Sequence, residues 1–232
     1  EHYAEFLTAL FKTTNVRGAL ITMPHKVVTL DLVDELTATA QVAGAANAVL
    51  CRADGTLLGD QFDGAGFVRG VLRKGQVLQG KRVLVSGNGG VGCAIAASLA
   101  DAGVAEMALF DSNPASSASL AQRLQQHHPA LKVSTGSNDP AGFDLIVNAT
   151  PLGMKDGDPL PFDVSRIDPT TFVGEVVMKH EITPLLTAAQ AKGCPIQVGT
   201  DMLFEMIPAY LEFFGFGTTT PQELRAVAQI SY

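Results

Sequence analysis

The stretch "VLVSGNGGVGCAIA", residues 83–96, runs from an apolar segment through closely spaced glycines into a small-residue, apolar segment. A short, fully apolar run followed by glycines reads as a parallel strand covered on both faces. The helix after it, "VGCAIAASLADAG" (91–103), is stopped by Gly103. Within the turn, Gly87-x-Gly89-x-x-Gly92 has the spacing of a dinucleotide loop. Gly87 permits the tight turn, Gly89 lets backbone approach a pyrophosphate, and Gly92 lets helix and strand pack closely. The helix N-terminus offers free N–H groups and a positive dipole end to phosphate. Gly87, Asn88, Gly89, Gly90 and Val91 are therefore candidate cofactor-binding positions. The simpler reading is a glycine-rich turn with no ligand.

Downstream, strands and helices alternate. "EMALFD" (106–111), "FDLIVNAT" (143–150), "TFVGEVVM" (171–178) and "PIQVG" (195–199) read as strands. "ASSASLAQRLQQHH" (115–128) and "TPLLTAAQAKG" (183–193) read as helices, and the tail from Met202 as two more. This alternation predicts an α/β fold with a Rossmann-type, doubly wound dinucleotide-binding domain. Asp111 ends the second strand 24 residues past Gly87, where an acidic residue holds the adenosine ribose hydroxyls. A carboxylate there repels a 2′-phosphate, so the pattern favours NAD over NADP. The alternative is that Asp111 only caps the helix beginning near Pro114. Asn148 and Thr150 end another strand at the crevice side and are candidates for the nicotinamide half, or for an ordinary strand-end turn.

Upstream lies a second, smaller α/β region. "HYAEFLTALFK" (2–12) reads as a helix and "RGALIT" (17–22) as a strand ended by Pro24. "LDLVDELTATAQVAG" (30–44) reads as one helix closing at Gly44, and "GFVRGVLRKG" (66–75) as another ending at Gly75. "NAVLCRADGTLLGDQ" (47–61) reads as a hairpin turning at Asp54-Gly55. A boundary near 76–80 is expected. Lys26 and Asp63 both sit at element ends, where functional groups are displayed. Alcohol oxidation needs an acceptor for the hydroxyl proton. A lysine in a closed cleft can serve when burial favours its neutral form, which an adjacent carboxylate opposes. On residue type alone, both are ordinary solvated groups.

Composition narrows the class. The 232 residues are 47% hydrophobic with net charge −7, and mean hydropathy is +0.21. No basic cluster points to nucleic acid, no run is long enough to span a bilayer, and no signal peptide is visible. Cys51, Cys93 and Cys194 are too scattered for a disulfide framework or a zinc site, so no metal is expected. A reducing, cytoplasmic setting is the default expectation. His25, beside Lys26, is read as a neighbour without chemistry, His127-His128 as a helix end, and Cys93 as packing.

Taken together, the motifs resemble those of the shikimate/quinate dehydrogenase family. That family carries "NVTxPxK", "GAVNT", "GxNTDxxGF", a "GAGGA"-type loop, "NATSxGM" and "GxxMLxxQ". This chain has "LITMPHK" (20–26), "GAANA" (44–48), "GDQFDGAGF" (59–67), "GNGGVG" (87–92), "NATPLGM" (148–154) and "GTDMLFEM" (199–206), in the same order. The resemblance implies reversible hydride transfer between NAD(P) and a ring hydroxyl of a shikimate- or quinate-like cyclic hydroxy acid. It implies Lys26 and Asp63 as the catalytic pair, and Thr22, Asn47, Gln61 and Met206 at substrate-binding positions. Gly199 of the late motif falls with the cofactor, and Met202 either faces the nicotinamide or fills core.

The departures are also informative. Leu20 replaces an Asn, Gln61-Phe62 an Asn-Thr, and Met206 a substrate-contacting Gln. Asp111-Ser112-Asn113 replaces the "NRT" that grips an NADP phosphate, and Met178-Lys179-His180 a Tyr-x-Pro stretch. The opening strand and Ser-x-Ser pair of the family are not in the sequence, and the abrupt start leads us to expect a segment upstream. Apolar replacements in a pocket built for hydroxyls point to a less polar or differently substituted ring. The expected division is a substrate domain of 1–77 with 205–232, and a dinucleotide domain of 78–204. NAD is the preferred cofactor, with NADP possible. The partner is a small molecule, with no nucleic acid or membrane, and the protein is a monomer or homodimer. The alternative reading is an NAD-binding regulatory or sensor protein of the same fold with little activity.

Overall fold

The structure is a computed structural model that describes residues 2–22 and 24–230, so Met23 of "LITMPHK" lies outside the described residues. Its larger sheet is parallel and six-stranded. In chain order the strands are β5 (Arg82–Ser86), β6 (Glu106–Phe110), β7 (Lys132–Thr135), β8 (Leu145–Asn148), β9 (Phe172–Glu175) and β10 (Ile196–Gln197), arranged β10-β9-β8-β5-β6-β7. Alternate residues feed two cores, as burial on both faces requires. Val83, Val85, Leu109 and Val147 join one cluster, and Leu84, Ala108, Ile146 and Val173 the other. Helices α4 (Gly90–Asp101) and α5 (Pro114–His127) come after β5 and β6, and α6 (Pro184–Ala191) packs on the second cluster through Leu185 and Leu186. The chain reverses its strand order between β5 and β8, which opens a crevice at their C-terminal ends.

The smaller, mixed sheet has order β1-β3-β4-β2, from β1 (Gly18–Leu20), β2 (Glu35–Leu36), β3 (Ala48–Cys51) and β4 (Leu57–Asp60). The β3–β4 hairpin turns at Asp54-Gly55, with Gly55 at φ +88°. Helix α1 (Tyr3–Leu10) covers this sheet through Leu7, against Ile21 and Val49. Helix α3 (Asp63–Arg73) lies between α4 and α7 (Gly199–Phe213), which runs unbroken through residues 204 and 205. A Cβ at Gly64 would stand 2.0 Å from the Ala94 carbonyl oxygen, so glycine is what lets α3 approach α4 this closely. Ion pairs of Arg73 with Glu205 and of Arg225 with Asp201 tie α3 and the last helix, α8 (Pro221–Val227), to α7.

Four local expectations are corrected. The segment 30–44 is not one helix. Leu36 pairs with Gly59 in the sheet, and Thr37 then caps α2 (Ala38–Ala43) by accepting the Ala40 N–H. The strand at 17–22 ends at Leu20, and Pro24 lies in a turn closed by the His25 N–H on the Thr22 carbonyl. Helix α3 starts at Asp63 rather than Gly66. Strand β7 has no counterpart among the expected elements, because as an edge strand it buries little. Among the described residues no helix is long and apolar enough to cross a membrane, and no three His, Cys, Asp or Glu side chains are grouped as metal ligands.

Candidate active site

Three polar side chains meet at one end of the small sheet, where β1 and β4 end and β3 begins. The turn after β1 carries Lys26, the start of β3 carries Asn47 beside it, and the first residue of α3 is Asp63. Lys26 Nζ stands 2.6 Å from Asp63 Oδ2. Asn47 Nδ2 donates to Asp63 Oδ1 at 2.9 Å, while its Oδ1 accepts the Phe62 N–H at 2.9 Å. Both carboxylate oxygens of Asp63 are thereby engaged. The Lys26 side chain is 16% exposed and that of Asp63 5%, so the lysine is the member of the pair that a ligand can reach.

The other substrate-site candidates sit at different distances from this trio. Gln61 is buried and its Oε1 accepts the Asp63 N–H at 3.0 Å, leaving its Nε2 without a partner among the described residues. Met206 is buried with Sδ 4.0 Å from Asn47 Nδ2. Thr22 is exposed at the head of the turn that carries Lys26. His25 stacks on Tyr3 with ring centroids 4.1 Å apart.

The glycine loop has the close contacts its spacing implies. Gly87 sits at φ +91°, and a Cβ there would be 2.7 Å from the Ala149 carbonyl oxygen. A Cβ at Gly92 would be 1.7 Å from the Gly87 carbonyl oxygen. At Gly89 and Gly90 a Cβ would meet nothing within 4 Å, so the space before the α4 N-terminus is open, as a bound phosphate requires. Val91 is half-buried against the core. Asn88 donates its N–H to Asp111 Oδ2 at 2.6 Å, and Asp111 Oδ1 accepts the Asn113 N–H at 2.9 Å. The cap of α5 is Asn113, not Asp111. These residues could hold a dinucleotide, whose pyrophosphate would then lie at Gly89-Gly90.

At the crevice edge, Asn148 is fully buried. Its Oδ1 accepts from the Thr150 N–H and hydroxyl and its Nδ2 donates to the Leu152 carbonyl, so it shapes the turn after β8. Gly199 opens α7 where a Cβ would stand 2.0 Å from the Val177 carbonyl oxygen, and Met202 is buried in the main core.

Comparison with known proteins gives this geometry its context. Residues 1–49 match the family model described as the shikimate dehydrogenase substrate binding domain. The chain is 34% identical over 230 residues to the shikimate dehydrogenase (NADP(+)) of Paramagnetospirillum magneticum, covering 97% of this chain and 83% of that one. The chain belongs to the shikimate dehydrogenase family. The structure of shikimate 5-dehydrogenase from Listeria monocytogenes, in complex with shikimate and NAD, is similar with a TM-score of 0.90, at 25% identity and covering 97% of this chain and 82% of that one. Ligand-free 5-ketofructose reductase of Gluconobacter sp. strain CHM43 is similar with a TM-score of 0.85, at 27% identity and covering 98% of this chain and 84% of that one. This shikimate dehydrogenase family member is an NAD(P)-dependent dehydrogenase.

Two groups near the site were not singled out from the sequence. Tyr210 is four residues after Met206 on α7, so the two share a helix face. Its ring meets Phe62 edge-on at 5.1 Å, and burial together with the Asp63 carboxylate pushes its phenol above the ordinary range, keeping it a donor. The i,i+4 spacing from Met206 was the available signal. Glu175 is a fully buried carboxyl at the end of β9, opposite Asn148. Its Oε2 accepts from Thr183 Oγ1 at 3.0 Å and its Oε1 has no partner among the described residues. A lone acidic residue in the otherwise apolar "FVGEVV" was its signal.

Burial raises the Glu175 carboxyl to about 7, with the hydrogen bond from Thr183 offsetting only part of the shift. The folded protein therefore keeps a proton that the unfolded chain releases at lower pH. The stability linked to this proton is full below the ordinary carboxylate range and is lost as pH rises through about 7. The wild-type Tm should fall relative to that of Glu175→Gln between about pH 5 and 7.5. Parallel Tm profiles across that window would refute this.

Proposed function

We propose that the chain catalyses reversible oxidation of a ring hydroxyl on a shikimate- or quinate-like cyclic hydroxy acid, with NAD as preferred cofactor. The observation that carries this reading is the Lys26–Asp63 pair, buried at one end and reachable at the other, with Asn47 completing it. A nicotinamide dinucleotide, when bound, supplies the hydride acceptor. Lys26 exchanges the hydroxyl proton, Asp63 fixes the position of its Nζ, and Asn47 orients Asp63. Gly89, Gly90 and the α4 N-terminus hold the pyrophosphate, and the turn of Asn148 and Thr150 flanks the nicotinamide end. Gly199 gives α7 its close approach to the same edge.

Met206 supports a ring less hydroxylated than shikimate, because a thioether takes the place of a strong donor beside Asn47. Thr22 and Gln61 line the polar side of the pocket in this reading. A fold neighbour named for 5-ketofructose shows that related chains carry other substrate names. Steady-state assays of the full chain with shikimate, quinate and hydroxy acids lacking one ring hydroxyl test the reading. Fastest turnover on a less hydroxylated ring supports it. Turnover of fully hydroxylated rings alone would remove the role given to Met206.

NAD preference rests on Asp111, whose carboxylate is held at the loop mouth by two backbone N–H groups with no basic residue in the Asp111-Ser112-Asn113-Pro114 turn. Asp111→Ser should narrow the ratio of NAD to NADP affinity by about tenfold, equivalent to ~1.4 kcal/mol. Titration of both reduced cofactors by nicotinamide fluorescence measures it. An unchanged ratio would leave Asp111 as a brace for Asn88 and nothing more.

A further inference from the structure

Helix α2 ends at Ala43, and Gly44 turns left-handed at φ +65°, with its N–H on the Ala40 carbonyl. The last carbonyls of a helix lack partners within it. Here the partner comes from the other sheet's layer. Arg123, on α5, donates Nε to the Val42 carbonyl at 2.8 Å and Nη2 to that of Ala43 at 3.4 Å. Its Nη1 donates to Ser119 Oγ at 2.8 Å, which fixes the fork. A Cβ on Gly44 would be 3.3 Å from the guanidinium carbon.

Beyond α2 the chain runs directly into the site. Ala45 and Ala46 are fully buried, and the Ala46 N–H donates to the Lys26 carbonyl at 2.9 Å. Asn47 then reaches Asp63 with its side chain. On its other side Arg123 Nη2 stands 3.6 Å from Cys93 Sγ, which donates to the Asn88 carbonyl at 3.2 Å. Ser117, also on α5, donates to Asn88 Oδ1 at 2.7 Å. One helix thus grips the glycine loop and the segment that carries Asn47.

We propose that Arg123 is a positioning residue that couples occupancy of the dinucleotide loop to the order of residues 44–47. The inference rests on the reading of Lys26, Asn47 and Asp63 as the reacting site, but its test needs no turnover. Amide hydrogen exchange of the full chain is measured with and without saturating NADH, whose binding is followed separately by fluorescence. Arg123→Met should speed exchange at Ala46 and Asn47 about tenfold or more, with the amide of Val173 on β9 unchanged. NADH should slow exchange at Ala46 and Asn47 in the wild type and fail to do so in Arg123→Met. Arg123→Lys, which keeps a cation able to reach one carbonyl, should restore most of the protection. If the Met variant does not fold, Ser117→Ala carries the test. It should leave basal protection at Ala46 and Asn47 intact and remove the NADH effect.

Equal exchange in wild type and Arg123→Met overturns the proposal, as does acceleration at Val173 to the same degree. An NADH effect that persists in Arg123→Met or in Ser117→Ala also overturns it. NADH bound without any effect on residues 44–47 sinks the coupling alone. A wild-type protein that does not bind NADH sinks the dinucleotide reading as well.

Discussion

Lys26→Met is expected to lower kcat by about 10²–10⁴-fold, the usual contribution of a positioned acid or base, and to leave the Kd for NADH unchanged. The methionine side chain keeps most of the volume and removes only the group that moves the proton. The asymmetry comes from placement. Lys26 lies in the small-sheet layer against Asp63, while the open space for phosphate lies at Gly89 and Gly90, at the head of α4. Removing the lysine leaves the Asp63 carboxylate buried with only Asn47 on Oδ1, so a drop in Tm is expected as well. kcat and NADH affinity, measured on the same folded sample, separate this from loss of structure. Residual turnover within tenfold of wild type would remove Lys26 from the chemistry.

The second large effect is expected at the glycine loop, and a pair of variants separates folding from binding. In Gly92→Ala the new methyl group would stand 1.7 Å from the Gly87 carbonyl oxygen, so backbone must move. Overpacking of this kind costs about 1–3 kcal/mol. The displaced Gly87 is itself held by its N–H on the Phe110 carbonyl at 2.7 Å, so the whole loop shifts. Gly92→Ala should lose stability and NADH affinity together. In Gly89→Ala the methyl group would meet no atom of the described residues within 4 Å. Stability should fall by about 1 kcal/mol or less, the cost of alanine in place of glycine at the N-cap of α4 with no packing disturbed. NADH affinity should still fall, because the methyl fills the approach to the α4 N-terminus. Urea unfolding and fluorescence titration measure the two quantities. Undiminished NADH affinity in Gly89→Ala would place the pyrophosphate elsewhere.

The dinucleotide half of the molecule was the more legible from sequence because its constraints are local. Gly92 answers the carbonyl of Gly87 in the same loop, Gly87 takes a positive φ and Gly89 faces open space, while the apolar strands report burial on both faces. The reacting site is not local. Lys26 and Asp63 are 37 residues apart and meet only because the β3–β4 hairpin folds between them. Residue type alone left both as ordinary surface groups, and the motif resemblance is what joined them. In the segment 30–44, Leu30, Val33 and Leu36 have helical spacing, which masks the strand at Glu35–Leu36 and the Thr37 cap that starts α2. Arg123 gave no signal, since its partners are the backbone carbonyls of Val42 and Ala43, 81 and 80 residues upstream. Glu175 and Tyr210 each had a weak one, in a carboxyl within an apolar strand and a phenol one turn from Met206.

The central claim is that Lys26 and Asp63 serve an NAD-preferring dehydrogenase acting on a ring hydroxyl. The most direct measurement tracks nicotinamide absorbance as the full chain is offered shikimate, quinate and less hydroxylated ring acids with NAD or NADP. Formation of reduced cofactor with at least one ring acid, faster with NAD and abolished by Lys26→Met, is the predicted result. NAD binding without turnover of any ring acid would contradict it and favour a regulatory, cofactor-sensing role.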